Sequence, residues 1–160
     1  MKNLFISGIT GKVGKLLSSY ALESNHFNLV GGSCSPDNNF FEKDVGTLLE
    51  IDETGIQISE KMPEDLSVDI IIDFSSPKSS KQILQLAKRK EIPILIGTTG
   101  FSEDDFKEIE IASTQTPVLF APNTSSGIAI LKNILYKSKN LFSEDHEFSI
   151  RETHHIEKKD

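Results

Sequence analysis

Short apolar runs alternate with stretches whose apolar positions recur every three or four residues. This alternation predicts strand–helix–strand units built around a parallel sheet. Leu4-Phe5-Ile6 is apolar throughout, as a strand covered on both faces must be. Val13, Leu16, Leu17, Tyr20 and Ala21 then repeat at helical spacing. Phe27 to Gly32 fits a second strand, and Val68 to Phe74 is the clearest strand of the chain. Ser76 followed by Pro77 predicts a capped helix start, because proline loses nothing at the first helical position. Ile92 to Ile96 and Val118 to Ala121 are further strands, separated by a helix that Ser102 and Asp105 can cap reciprocally. Ile128, Leu131 and Leu135 mark a last helix reaching about Phe142, and His146 to His155 alternates as a strand does. Residues 34–65 are polar and loop-rich, and no order of elements is predicted there. The fold class is therefore α/β, a doubly wound, mostly parallel sheet.

Composition narrows the partners. With 37% hydrophobic residues and ten Phe in 160 residues, the chain can fill a core. Its formal charge of −7 argues against nucleic acid, whose backbone calls for a basic surface. No apolar stretch approaches the roughly 20 residues of a membrane span, so no membrane partner is expected. The single cysteine, Cys34, cannot form a disulfide within the chain, which fits a reducing, cytoplasmic setting.

The chemistry begins at Gly8-Ile9-Thr10-Gly11-Lys12-Val13-Gly14, between the first strand and the first helix. A glycine turn in that place brings backbone N–H groups and a helix N-terminus to a pyrophosphate. A close-packed structural turn is the alternative. A phosphate loop of the GxxxxGK[ST] kind does not fit, since five residues separate Gly8 from Gly14 and Leu16 follows Lys15. Sites that bind NAD usually carry Asp or Glu about 20 residues past the glycines, on the ribose 2′-hydroxyl. Here the chain reads Ser33-Cys34-Ser35-Pro36-Asp37, so the acid is missing at Cys34 and Ser35, and Cys34 can equally be a packed strand end. Gly97-Thr98-Thr99-Gly100 and Ala121-Pro122-Asn123-Thr124 each follow a strand, at the edge where open α/β sheets bind ligands, though either can be ordinary turn chemistry. Glu152-Thr153-His154-His155 with Lys158 concentrates proton donors and a cation. The alternatives are a solvated tail or a metal site. Adjacent histidines on a strand point to opposite faces, so no metal is expected.

Taken in order, the GxxGxxG turn, Asp73-Phe74-Ser75-Ser76-Pro77, Gly97-Thr98-Thr99-Gly100-Phe101, Ala121-Pro122-Asn123 and the His154-His155-x-x-Lys158-x-Asp160 ending resemble the 4-hydroxy-tetrahydrodipicolinate reductase (dihydrodipicolinate reductase) family along the whole chain. The resemblance implies that Gly8, Ile9, Thr10, Gly11, Lys12, Val13, Cys34, Ser35, Gly97, Thr98, Thr99, Ala121, Pro122, Asn123 and Thr124 line a site for NADPH or NADH. It implies His154 as proton donor, Lys158 as the second catalytic residue and His155 as a substrate-binding position. The implied reaction reduces 4-hydroxy-tetrahydrodipicolinate, a cyclic imine-type substrate formed with loss of water, to tetrahydrodipicolinate in lysine and diaminopimelate synthesis. The implied partners are this small molecule and, for the full-length family form, three further copies in a homotetramer.

Three departures accompany the resemblance. Cys34 and Ser35 stand where the family usually has an acid, often followed by Arg. Thr124 stands where it commonly has Phe. The family also continues past the position of Asp160 into a carboxylate-gripping turn and the rest of a substrate domain. The expected organisation is a dinucleotide-binding domain over residues 1–124 and the beginning of an α+β substrate and oligomerisation domain over 125–160, truncated at Asp160. A catalytically inactive nucleotide-binding or interaction module, or a dehydrogenase of other specificity, is the alternative.

Overall fold

In the computed structural model, the described residues are 1–142 together with 146, 147, 149, 151 and 153. They contain six strands, β1 (Lys2–Ser7), β2 (Phe27–Ser33), β3 (Ile58–Ser59), β4 (Ile70–Asp73), β5 (Ile94–Ile96) and β6 (Val118–Phe120). The helices are α1 (Lys12–Glu23), α2 (Val45–Leu49), α3 (Pro77–Lys90), α4 (Glu103–Ser113) and α5 (Ser126–Ser138), and a 3₁₀ turn at Lys139–Leu141 follows. The strands form one sheet in the order β3-β2-β1-β4-β5-β6, and every pairing is parallel. The chain thus winds outward from β1 in one direction and then the other. The direction of winding reverses between β1 and β4, where such sheets leave a crevice beyond their carboxyl ends.

Two compact units are present, Met1–Pro122 and Asn123–Asp160. In the first, side chains pack against both faces of the sheet. Phe5, Ile71, Leu84, Ile94 and Ile96 lie in one apolar cluster with Ala87 and Ile109. Leu4, Ile6, Ile9, Leu29 and Ile58 lie in another with Val45 and Leu48. Alternate residues of β1 therefore enter opposite clusters, as period-two side chains in a covered strand must. Residues 34–65 are not structureless. They hold α2, capped by the Asp44 carboxylate on the Gly46 N–H, and β3, whose Ile58 is fully buried.

Local chemistry sets the helix starts. Ser76 Oγ accepts from the Ser79 N–H at 3.3 Å with Pro77 at the first helical position. Lys88, Arg89 and Lys90 end the same helix, where the dipole favours cations. Ser102 and Asp105 form the reciprocal capping box of α4. In the second unit, Ser125 Oγ caps α5 by accepting from the Ile128 N–H at 3.3 Å. The strand expected over 146–155 rests largely on residues outside the described ones.

Candidate functional site

A cleft of about 670 Å³ opens at the reversal point of the sheet. That is inside the range of roughly 300–1,000 Å³ typical of small-molecule sites. Its floor is the end of β1 and the glycine turn (Ser7, Gly8, Thr10, Gly11), and one rim is the end of β2 (Ser33, Cys34, Ser35). The loop after β4 (Phe74, Ser75, Ser76), one side of α3, and Glu60, Lys61, Met62 and Glu64 line the rest.

The turn is held by its own backbone. The N–H groups of Gly8 and Ile9 both donate to the Ser33 carbonyl, at 2.9 and 3.1 Å, and Gly11 N–H donates to Gly8 at 3.0 Å. Gly8 has φ of +79°, and a Cβ there would meet the Phe74 carbonyl oxygen at 2.2 Å. Only glycine fits both conditions. Gly14 is needed for a different reason: a Cβ there would lie 2.3 Å from the Gly8 carbonyl oxygen. A Cβ on Gly11 would also be tight, 3.3 Å from the Gly8 carbonyl oxygen, and Gly11 itself lines the cleft. The first-turn N–H groups of α1 have no carbonyl within the helix to bond, and they follow directly on Gly11, the N-cap of α1. The turn therefore fits a pyrophosphate by geometry as well as by spacing.

A second feature is a hydrogen-bond network that the sequence did not reveal. Asp73, at the end of β4, is completely buried. Its carboxylate accepts from the hydroxyls of Ser75, Ser80 and Thr98, the last at 2.8 Å. Thr98 Oγ1 in turn accepts from the Ser75 N–H at 2.9 Å. This network ties the loop after β4 to the loop after β5. Phe74 joins them sterically, since a Cβ on Gly97 would strike its ring at 2.1 Å. The sequence marked Asp73-Phe74-Ser75-Ser76-Pro77 as part of the family resemblance, a carboxylate closing a run of isoleucines, without revealing its partners.

The sequence-predicted residues divide as follows. Gly8, Thr10, Gly11, Cys34 and Ser35 line the cleft. Burial pushes the Cys34 thiol up from its ordinary pKa. Ile9 is fully buried, its side chain against Gly32. Lys12 and Val13 open α1 without lining the cleft. Gly97 and Thr98 are buried and accounted for by Phe74 and Asp73, while Thr99 is exposed. Ala121 and Pro122 close the first unit. Asn123 and Thr124 open the second, where Asn123 Oδ1 accepts from the Ser125 N–H at 2.9 Å. His154, His155 and Lys158 lie outside the described residues. Glu60, Lys61, Met62 and Glu64 line the cleft from a stretch in which no element was predicted. Among the described residues no group of three or more His, Cys, Asp or Glu could hold a metal, and no helix is long and apolar enough to cross a membrane.

Comparison with known proteins agrees with this geometry. The family model for the N-terminal part of dihydrodipicolinate reductase matches residues 2–124. The chain belongs to the dihydrodipicolinate reductase family. A 4-hydroxy-tetrahydrodipicolinate reductase of Hahella chejuensis is 30% identical over all of this chain and 60% of its own length. One of Colwellia psychrerythraea is 33% identical over 97% of this chain and 58% of its own length. The chain thus spans about 60% of the curated relatives it matches. Among solved structures, dipicolinate-bound dihydrodipicolinate reductase from a Paenisporosarcina species superposes with a TM-score of 0.68 at 17% identity, over 89% of this chain and 55% of that one. Aspartate semialdehyde dehydrogenase with NADP, from Candida albicans, superposes at 0.60 with 13% identity, over 86% of this chain and 47% of that one. Both share the fold.

Proposed function

We propose that this chain supplies the dinucleotide-binding half of a reductase that converts 4-hydroxy-tetrahydrodipicolinate to tetrahydrodipicolinate, as its relatives' names describe. The observation that carries the reading is the cleft at the sheet's reversal point, floored by a glycine turn whose geometry tolerates no side chain at Gly8 or Gly14. Bound NADPH or NADH would supply the hydride that, together with one proton, replaces the 4-hydroxyl lost as water, the ring C=N being kept in the product. The protein's part is to hold the pyrophosphate on the turn and the start of α1, and to keep the walls after β4 and β5 in place through Asp73 and Phe74. Cys34, Thr99 and the segment 121–124 complete the cofactor site in this reading. His154 donates the proton, Lys158 supports the developing charge and His155 holds substrate. A small-molecule substrate, a homotetramer and a cytoplasmic location belong to the same proposal. Because no carboxylate stands at Cys34 or Ser35 to repel a 2′-phosphate, NADPH should bind at least as well as NADH.

Calorimetric titration with both nucleotides, joined to an absorbance assay of NADPH oxidation in the presence of substrate, tests the proposal. In the full-length enzyme, nucleotide binding should survive His154→Ala, while substrate-dependent oxidation falls by about 10²–10⁴-fold, the usual worth of general acid catalysis; the 160-residue chain alone should bind nucleotide without turnover. Failure to bind either nucleotide would overturn the proposal at its root.

A further inference from the structure

One polar stripe of α3 remains unexplained. Lys78, Gln82, Gln85 and Arg89 recur at helical spacing and all line the cleft, while Ile83, Leu84 and Ala87 of the same helix are buried in the core. A helix that faces only solvent has no reason to place hydrogen-bonding groups along a cavity wall in this register. The stripe begins in the first turn of α3, and Ser33, Cys34 and Ser35 line the same cleft.

The charges on the cleft wall are few and mostly matched. Arg89 is bound to Glu64, and both line the cleft. Lys61 lies 3.9 Å from its neighbour Glu60. Lys78 is exposed, and among the described residues it has no ion pair. It is therefore the one cation of this wall whose charge no carboxylate answers. The rim at the end of β2 offers two hydroxyls and a thiol but no cation. A dianionic phosphate on an adenosine ribose would find hydrogen bonds there and no charge to balance it.

We infer that Lys78 is the specificity-determining residue for the adenosine 2′-phosphate, reading it from the α3 side of the cleft instead of from the end of β2. The inference rests on the dinucleotide reading above. Gln82 and Gln85 extend the same stripe and carry both donors and acceptors, which suits the edge of a purine base. An exposed lysine on a dianionic phosphate should give about a tenfold preference, about 1.4 kcal/mol.

The test titrates the chain and its Lys78→Ala, Lys78→Arg and Lys107→Ala variants with NADPH, NADH, 2′,5′-ADP and 5′-AMP at one ionic strength. Lys78→Ala should weaken NADPH and 2′,5′-ADP about tenfold and leave NADH and 5′-AMP within twofold. Lys78→Arg should retain the preference, and Lys107→Ala, at an exposed lysine of α4 outside the cleft, should not change it. Circular dichroism checks that each variant is folded. An unchanged ratio of NADPH to NADH affinity in Lys78→Ala would overturn the inference and leave the dinucleotide reading standing. A chain that binds none of the four would remove both.

Discussion

Helix α1 starts from the glycine turn that floors the cleft and α3 lines the cleft along one side, and the two are built on opposite plans. In α3 the large residues Ile83 and Leu84 are buried with Ser80 and Ala87. In α1 the buried residues are Gly14, Ser18 and Ala21, while Leu16 and Tyr20 are 72% and 63% exposed. The cause is distance. α1 starts directly from the glycine turn and runs so close to it that a Cβ on Gly14 would meet backbone oxygens of Gly8 and Ile9 at 2.3 and 2.6 Å. Ser18 then folds its hydroxyl back onto the Gly14 carbonyl, at 2.8 Å. Close approach leaves only the small residues Gly14, Ser18 and Ala21 fully buried, with Leu17 packed partly against the core. In α3 the inward face can carry large residues, and its stability comes from ordinary burial. The pair teaches that apolar periodicity identifies a helix without saying which face turns inward.

The largest effect should come from filling the close contact. Gly14→Val places methyl groups where only backbone yields, so at least about 4 kcal/mol of stability should be lost, beyond the usual range for single substitutions. Urea unfolding measures it. A loss under about 1 kcal/mol would mean that α1 can lift from the turn at little cost. On α3, Leu84→Ala should cost about 3 kcal/mol, as truncation of a fully buried leucine does. The matching change on α1, Leu16→Ala, should stay within about 0.5 kcal/mol. Equal losses at Leu84 and Leu16 would erase the contrast between the two helices.

A smaller effect is confined to the α3 side. Lys81 of α3 sits 2.8 Å from Asp105 of α4. Its ammonium, together with the Ser102 N–H and hydroxyl, holds the Asp105 carboxyl down at about 2. The folded-state value lies below the ordinary one for Asp, near 3.9. This contribution is therefore fully present above about pH 4 and is lost as pH falls towards 2. Nuclear magnetic resonance titration of Asp105 should give a midpoint near 2, rising in Lys81→Met because the main cause is gone. A midpoint unchanged by Lys81→Met would leave the Ser102 cap as the sole source of the shift.

Much was legible in the sequence because it was local. Ser76-Pro77 and Ser102 with Asp105 each cap a helix within three residues of themselves. The apolar runs located all the strands of the sheet except β3, and the glycine turn located the floor of the cleft. The alternation of strands and helices also settled the α/β class, since each covered strand must be apolar on both faces. What tertiary structure decided was non-local. Thr98 reaches Asp73 across 25 positions of chain, and Gly97 is glycine because the Phe74 ring occupies the space of its side chain. Neither requirement leaves a periodic trace. Residues 60–64 line the cleft from a segment that reads only as polar loop, since β3 has two residues and no period to detect. The inward face of α1 was hidden for the same reason. Hydrophobicity ranks residues by their transfer from water, whereas the approach of α1 to its turn ranks them by size, and only the folded backbone sets that distance.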